Sequence, residues 1–202
     1  MPLRSIVVFF VVVFSGAAQA ATILVWGDSL SAGYGLRSQE SWPTLLQTRL
    51  QREGFRHMVI NASVSGETSA GGRSRLPAAL DRHKPDLLIL ELGANDGLRG
   101  LKPSLMADNL AAMIRAARER GVRVLLVGMQ MPPNYGAAYN RRFQQTFVDV
   151  AREHDVPLVP FLLDGFADRS EMFQRDGIHP TAEAQEIIVD TVWKKLVAML
   201  KG

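Results

Sequence analysis

Thr22-Ile23-Leu24-Val25-Trp26 runs directly into Gly27-Asp28-Ser29-Leu30. An unbroken apolar and β-branched run closed by a glycine turn reads as a strand buried on both faces, the kind found in parallel sheets. The serine that follows is then held at a sheet edge, where a second molecule can reach its hydroxyl. The same apolar pattern recurs at residues 57–61, 87–91, 122–129 and 157–159. Between these runs the period changes to that of amphipathic helices. Trp42, Leu45, Leu46, Arg49 and Leu50 share one helical face, with Ser41 as a cap and Pro43 in the first turn. Leu110, Met113, Ile114 and Ala117 follow i, i+3, i+4, i+7, and Gly121 ends that helix. A last helix spans residues 181–200, with Ile188, Val192, Leu196 and Leu200 as its inner stripe. Strands alternating with helices imply an α/β protein: a parallel sheet of five strands covered on both faces, a three-layer α/β/α sandwich. No repeat, low-complexity stretch or linker divides residues 21–202, which are expected to form a single domain. In such sheets ligands bind beyond the carboxyl ends of the strands, near a switch in strand order.

Residues 1–20 stand apart. Arg4 and the amino terminus precede an apolar run from Ile6 to Phe14, and small residues lead to Ala18-Gln19-Ala20. That is the layout of a cleaved signal peptide, with processing before Ala21 and export to the periplasm or beyond. The apolar run is shorter than the roughly 20 residues a membrane-spanning helix needs, so no stable membrane anchor is expected. The chain has no cysteine, which excludes disulfides and an acylated-cysteine anchor alike. Among 202 residues, 23 Lys and Arg face 20 Asp and Glu. Arg115, Arg118, Arg120 and Arg123 cluster but are interrupted by Glu119, which describes a solvated helix face and not a nucleic-acid surface.

Chemistry is concentrated in a few loops. Alone, Ser29 could be an ordinary turn serine, yet Gly27-Asp28-Ser29-Leu30-Ser31-Ala32-Gly33-Tyr34-Gly35 surrounds it with small residues, as a turn open to substrate requires. Asp28 reads as an orienting loop residue. A serine hydroxyl is a weak nucleophile until a base takes its proton. Of the four histidines, His57 at a strand start, His83 beside Lys84-Pro85 and His154 at a helix end suit packing or surface roles. His179 differs: in Asp176-Gly177-Ile178-His179-Pro180 the carboxylate can fold back onto one ring nitrogen and leave the other for Ser29. Acyl transfer also requires donors for an oxyanion. The backbone N–H groups of Ser29 and Gly66 and the amide of Asn95 are the candidates, although Gly93-Ala94-Asn95-Asp96-Gly97 could by itself be a plain turn. All lie on loops at one sheet edge.

Ser29, Gly66, Asn95 and His179 together resemble the namesake residues of the SGNH (GDSL-type) hydrolases. The resemblance spans nearly all of residues 21–200, through Gly27 to Gly35, Asn61-Ala62-Ser63-Val64-Ser65-Gly66-Glu67-Thr68, residues 91–100 and 176–180. Glu67 departs from the aspartate more usual in that family. The resemblance implies a flavodoxin-like order of five strands, no cofactor, and a serine esterase or thioesterase with Ser29, Asp176 and His179 as its triad and Ser29, Gly66 and Asn95 as its oxyanion hole. The elbow G-x-S-x-G of α/β-hydrolases is absent from residues 21–202. Two other readings use the same residues. In a metal-dependent phosphoesterase, Asp28, Asn95, Asp96, Asp176 and His179 would be ligands, a set poor in histidine for such a site. A non-catalytic exported binding module would use the fold without the chemistry. Leu98, Leu101, Met131, Pro132 and Tyr135, with Met129 and Pro133, lie on loops after the third and fourth strands and are expected to line an apolar acyl groove. Gly97 and Gly100 would let the first of these loops move. The expected partners are small acyl esters or thioesters, and the expected state is a monomer.

Overall fold

The computed structural model describes residues 21–201. The expected signal peptide therefore lies outside the described residues. Five strands, β1 (Thr22–Gly27), β2 (Met58–Asn61), β3 (Leu87–Glu91), β4 (Arg123–Val127) and β5 (Leu158–Val159), form one sheet in the order β2-β1-β3-β4-β5. Every pairing is parallel. Seven helices join them: α1 (Ser29–Ala32), α2 (Trp42–Arg52), α3 (Ser69–His83), α4 (Ala94–Leu98), α5 (Pro103–Arg118), α6 (Ala137–Glu153) and α7 (Ala184–Leu200). This is the α/β/α sandwich, with the flavodoxin-like strand order.

The two-residue period of the strands divides the core. Ile23, Val25, Leu87, Ile89, Leu125 and Val127 face one layer, where they meet Trp42, Leu46 and Leu50 of α2 and Ile188, Val192 and Leu196 of α7. Leu24, Trp26, Leu88, Leu90, Val124 and Leu126 face the other, against Leu76 and Leu80 of α3, Leu110, Met113 and Ile114 of α5, and Phe143 and Phe147 of α6. Fully burying each such side chain contributes about 1.5–3 kcal/mol, so both faces of every central strand must be apolar.

Helix α3 contradicts its own local signals. Its sequence holds Gly71, Gly72 and Pro77, residues that weaken a helix interior. Packing explains the glycine at 72. A Cβ there would stand 2.3 Å from Leu92 Cδ1, and Trp26 Nε1 donates to Gly72 O at 3.3 Å. Element ends also shift from the sequence reading. β4 starts at Arg123 because the Val122 N–H is taken by Ala117 O at the end of α5. α7 starts at Ala184 because the Thr181 N–H bonds Met172 O, which keeps residues 181–183 in the preceding loop.

The strand order reverses between β1 and β3, the central strand of the sheet. The crevice beyond their carboxyl ends is therefore flanked by the turn after β1, which carries Ser29, and the turn after β3, which carries Asn95.

Candidate active site

Gly27 ends β1 in register with Glu91 of β3. Asp28 caps α1, its Oδ1 accepting from the Leu30 N–H at 3.0 Å, and Ser29 opens that single helical turn. Gly33 closes the turn with a left-handed φ of 75°. Ser29 thus opens a very short helix that is capped at both ends.

His179 Nε2 lies 2.9 Å from Ser29 Oγ. Its Nδ1 lies 2.8 Å from Asp176 Oδ2. The other carboxylate oxygen, Oδ1, accepts the backbone N–H groups of Ile178 at 2.9 Å and His179 at 3.0 Å. Those two amides, that of His179 foremost, hold the Asp176 carboxyl down at about 2. A carboxylate ionised at all ordinary pH values selects the tautomer with the proton on Nδ1. Nε2 is then left to accept the Ser29 proton. The Tyr34 ring packs against the imidazole with centroids 4.4 Å apart. Gln174 was not singled out by the sequence, yet its Nε2 donates to Tyr34 O at 2.8 Å and Pro180 O at 3.0 Å. One side chain therefore ties the serine turn to the histidine loop.

Gly66 has a left-handed φ of 79°, which favours glycine, and a Cβ would meet nothing within 4 Å. Its glycine is set by backbone conformation and not by lack of space. Among the described residues the N–H groups of Ser29 and Gly66 have no hydrogen-bond partner. Asn95 Nδ2 donates to Asp28 Oδ2 at 3.1 Å and to Glu67 O at 3.0 Å, so it bridges the two segments that carry those free amides. Arg99 Nη2 donates to Gly66 O at 3.1 Å, bracing the same peptide from outside. Glu67, the departure noted in the sequence, uses its side chain elsewhere. It pairs with Arg75 at 2.6 Å, and the Arg75 guanidinium lies 4.1 Å from the centre of the Trp26 ring.

Beneath the serine turn lies a buried acid that the sequence reading passed over. Glu91 is 2% exposed, and its Oε2 accepts from Ser31 Oγ at 2.6 Å. Burial, and then the neighbouring Asp28, push its pKa well above the usual carboxylate range. Burial likewise raises Asp28 to about 6, against the pull of the Leu30 N–H, His179 and Asn95. Two carboxyls in one dry wall do not both ionise readily. The signal was in the strand: Glu91 is a charge ending a run, Leu87 to Leu90, in which every residue is buried.

The GDSL-like Lipase/Acylhydrolase family pattern matches residues 25–187. The chain belongs to that family. It is 48% identical over 189 residues to esterase TesA of Pseudomonas aeruginosa, covering 94% of each chain. It is 40% identical to thioesterase 1/protease 1/lysophospholipase L1 of Escherichia coli K12, covering 93% of this chain and 89% of that one. Among solved structures it is similar to the psychrotrophic esterase EstA from Pseudoalteromonas sp. inhibited by monoethylphosphonate, with a TM-score of 0.85 and 38% identity over 90% of this chain and 99% of that one.

For a GDSL-family chain the residues expected to form the groove divide unevenly. Leu98 is half-buried, and Leu101 is 40% exposed. Pro132 is exposed, and Tyr135 is half-buried with its hydroxyl donating to Leu98 O at 3.0 Å. Met131 is different: it is 6% exposed, in the cluster with Phe143 and Phe147. A Cβ on Gly97 would stand 2.3 Å from Met131 Sδ, so the thioether fills the space under α4 instead of facing the crevice. Gly97 is helical and close-packed, which makes it a packing glycine and not a hinge. Gly100, with a φ of 64°, keeps the left-handed turn. The residues weighed as metal ligands have other partners. Asp96 binds Ser69, Asn95 binds Asp28 and Glu67, and Asp176 binds its own loop. Among the described residues no three His, Asp or Glu side chains are grouped as a metal site.

Proposed function

We propose that this chain is a serine hydrolase that cleaves carboxylic esters and thioesters, including aryl esters, acyl-CoA and lysophospholipids, through an acyl-enzyme on Ser29. The observation that carries the reading is the unbroken line from Asp176 through His179 to Ser29 Oγ, with contacts of 2.8 and 2.9 Å. His179 Nε2 takes the Ser29 proton as Oγ attacks the acyl carbon. The carbonyl oxygen becomes an oxyanion within reach of the unpaired Ser29 and Gly66 N–H groups and of Asn95 Nδ2, which shifts one of its two N–H bonds to it. The imidazolium, steadied by Asp176, then protonates the departing alkoxide or thiolate. Water, deprotonated by the same nitrogen, attacks the acyl-enzyme. A second tetrahedral oxyanion forms and collapses, returning the proton to Ser29 and releasing the acid.

The names of the relatives, an esterase and a thioesterase/lysophospholipase, suit these substrates. Leu98, Leu101, Pro132 and Tyr135 supply the wall for the acyl chain in this reading. Residues 1–20 act as a signal peptide that delivers residues 21–202 as one monomeric domain to the periplasm, and the reaction uses no cofactor. A fluorophosphonate probe tests the nucleophile, an apt choice because EstA is described as inhibited by monoethylphosphonate. The wild type should hydrolyse nitrophenyl esters and acquire the label on Ser29, and Ser29→Ala should do neither. Hydrolysis persisting in Ser29→Ala, or a label on another residue, overturns the assignment.

A further inference from the structure

We propose that Asp96 is a positioning residue for the reaction: its buried carboxylate locks the loop carrying Gly66 to the helix carrying Asn95 and so sets the geometry of the oxyanion donors. The inference rests on the hydrolase reading above and assigns the residue that keeps its two remote donor segments in register.

Asp96 directly follows Asn95 in α4 and is 3% exposed. Among the described residues neither of its oxygens joins an ion pair, and both are turned to Ser69. Oδ2 accepts from the Ser69 N–H at 2.8 Å, and Oδ1 accepts from Ser69 Oγ at 2.6 Å. Ser69 is itself fully buried and opens α3, three residues after Gly66. Its N–H is one of the amides a helix start leaves without an internal partner, so a carboxylate there satisfies a buried donor and opposes the positive end of the helix. The joint is braced from the side as well. Asn109 Nδ2 of α5 donates to Ser69 Oγ at 3.0 Å, and Arg73 Nη1 reaches Asn109 Oδ1 at 3.2 Å.

The consequence is geometric. Gly66 sits on a segment with left-handed φ and an open side, and Asn95 comes from a different strand's turn. Their relative placement depends on what joins the two loops. Among the described residues, Asn95 Nδ2 to Glu67 O, Arg99 to Gly66 O and the Asp96–Ser69 pair join them, and of these three the last is wholly buried. Hydrogen bonds held away from water are the stiffest of the three. A carboxylate that never touches substrate can therefore govern the oxyanion step, because a donor misplaced by about 1 Å costs up to about 100-fold in rate.

The test uses the full chain and kcat and KM for a nitrophenyl ester well below the melting temperature. Asp96→Ala should lower kcat by about 10- to 100-fold with KM changed less than about threefold, since the donors act on the transition state. Asp96→Asn should restore most of that loss, because its carbonyl can accept from the Ser69 N–H and its amide can donate to Ser69 Oγ. Combining Asp96→Ala with Asn95→Ala should lose far less than the product of the single losses, as expected when one residue acts partly through the other. Should Asp96→Ala fail to fold, Ser69→Ala carries the same test, with kcat expected to fall about 3- to 10-fold because one of two bonds to the carboxylate is lost. A lowered melting temperature with kcat within twofold of wild type, or fully multiplicative losses in the double variant, overturns the proposal. A wild type that hydrolyses no ester is a separate result, and it overturns the hydrolase reading itself.

Discussion

Replacing Asn95 by alanine removes two things at once, and the structure separates them. The first is the oxyanion donor that the proposed reaction assigns to it. Loss of one such side-chain donor costs about 2.7–4 kcal/mol in the transition state, a fall of about 100- to 1,000-fold in kcat. The second is the bridge from Nδ2 to Asp28 Oδ2 and Glu67 O. Asp28 is 1% exposed and keeps the Leu30 N–H as its remaining donor to the carboxylate. A buried acceptor deprived of a partner destabilises the fold by about 1–3 kcal/mol. Asn95→Ala should therefore lose kcat with little change in KM and also unfold at lower denaturant concentration. The loss of a donor should raise the Asp28 pKa further above its present value of about 6. Nitrophenol release gives kcat, and urea unfolding gives the stability change. Turnover within about threefold of wild type would remove Asn95 from the oxyanion step. Unchanged stability would show that the Asp28 bridge contributes nothing.

Other outcomes follow from the same geometry. Asp176→Asn should lower kcat by as much as about 10,000-fold through the wrong imidazole tautomer, read from initial rates at pH 8; wild-type turnover would refute the triad. Because the folded-state pKa of Asp176 is depressed from 3.8 to about 2, its stabilising contribution is present above about pH 4 and lost as pH falls toward 2. The variant's acid-unfolding curve should be flatter over that window. Glu91 shows the opposite sign: its raised pKa means that the folded state keeps a proton the unfolded chain releases, so its burial weighs more heavily as pH rises above about 4.5. Glu91→Gln should accordingly gain stability relative to wild type between pH 5 and 8, and a constant difference across that range would contradict a neutral buried carboxyl. A chain-length series of nitrophenyl esters should show kcat/KM rising by up to about fourfold per CH2 group that the groove buries, at about 0.8 kcal/mol each. Leu101→Ser should blunt that rise, whereas identical values from acetate to palmitate would dismiss the groove.

Much of the fold was legible because strands buried on both faces leave an unbroken apolar trace. Val25 and Trp26 look alike in sequence although they enter opposite core layers. Helix α3 was not legible: Gly72 and Pro77 argue against a helix, and only close packing on Trp26 and Leu92 makes the glycine necessary. Met131 is expected in the groove because an apolar side chain on a loop beside the site is poorly suited to open solvent, yet the space under Gly97 takes it into the core. Glu91 carried a visible warning as an acid ending a wholly apolar run, but its protonation depends on neighbours that a linear pattern does not display.

The sequence alone specified what is local: a strand that delivers Ser29 into a tight turn, and a carboxylate three residues before a histidine, close enough to grip its ring. Only the folded chain decided that His179 meets a hydroxyl 150 residues away, and that the amide of Asn95 lies between Asp28 and Glu67. Local contacts follow from backbone geometry over a few residues. Distances between remote loops, and the dryness that shifts a buried carboxyl, exist only once the two apolar layers have closed on the sheet.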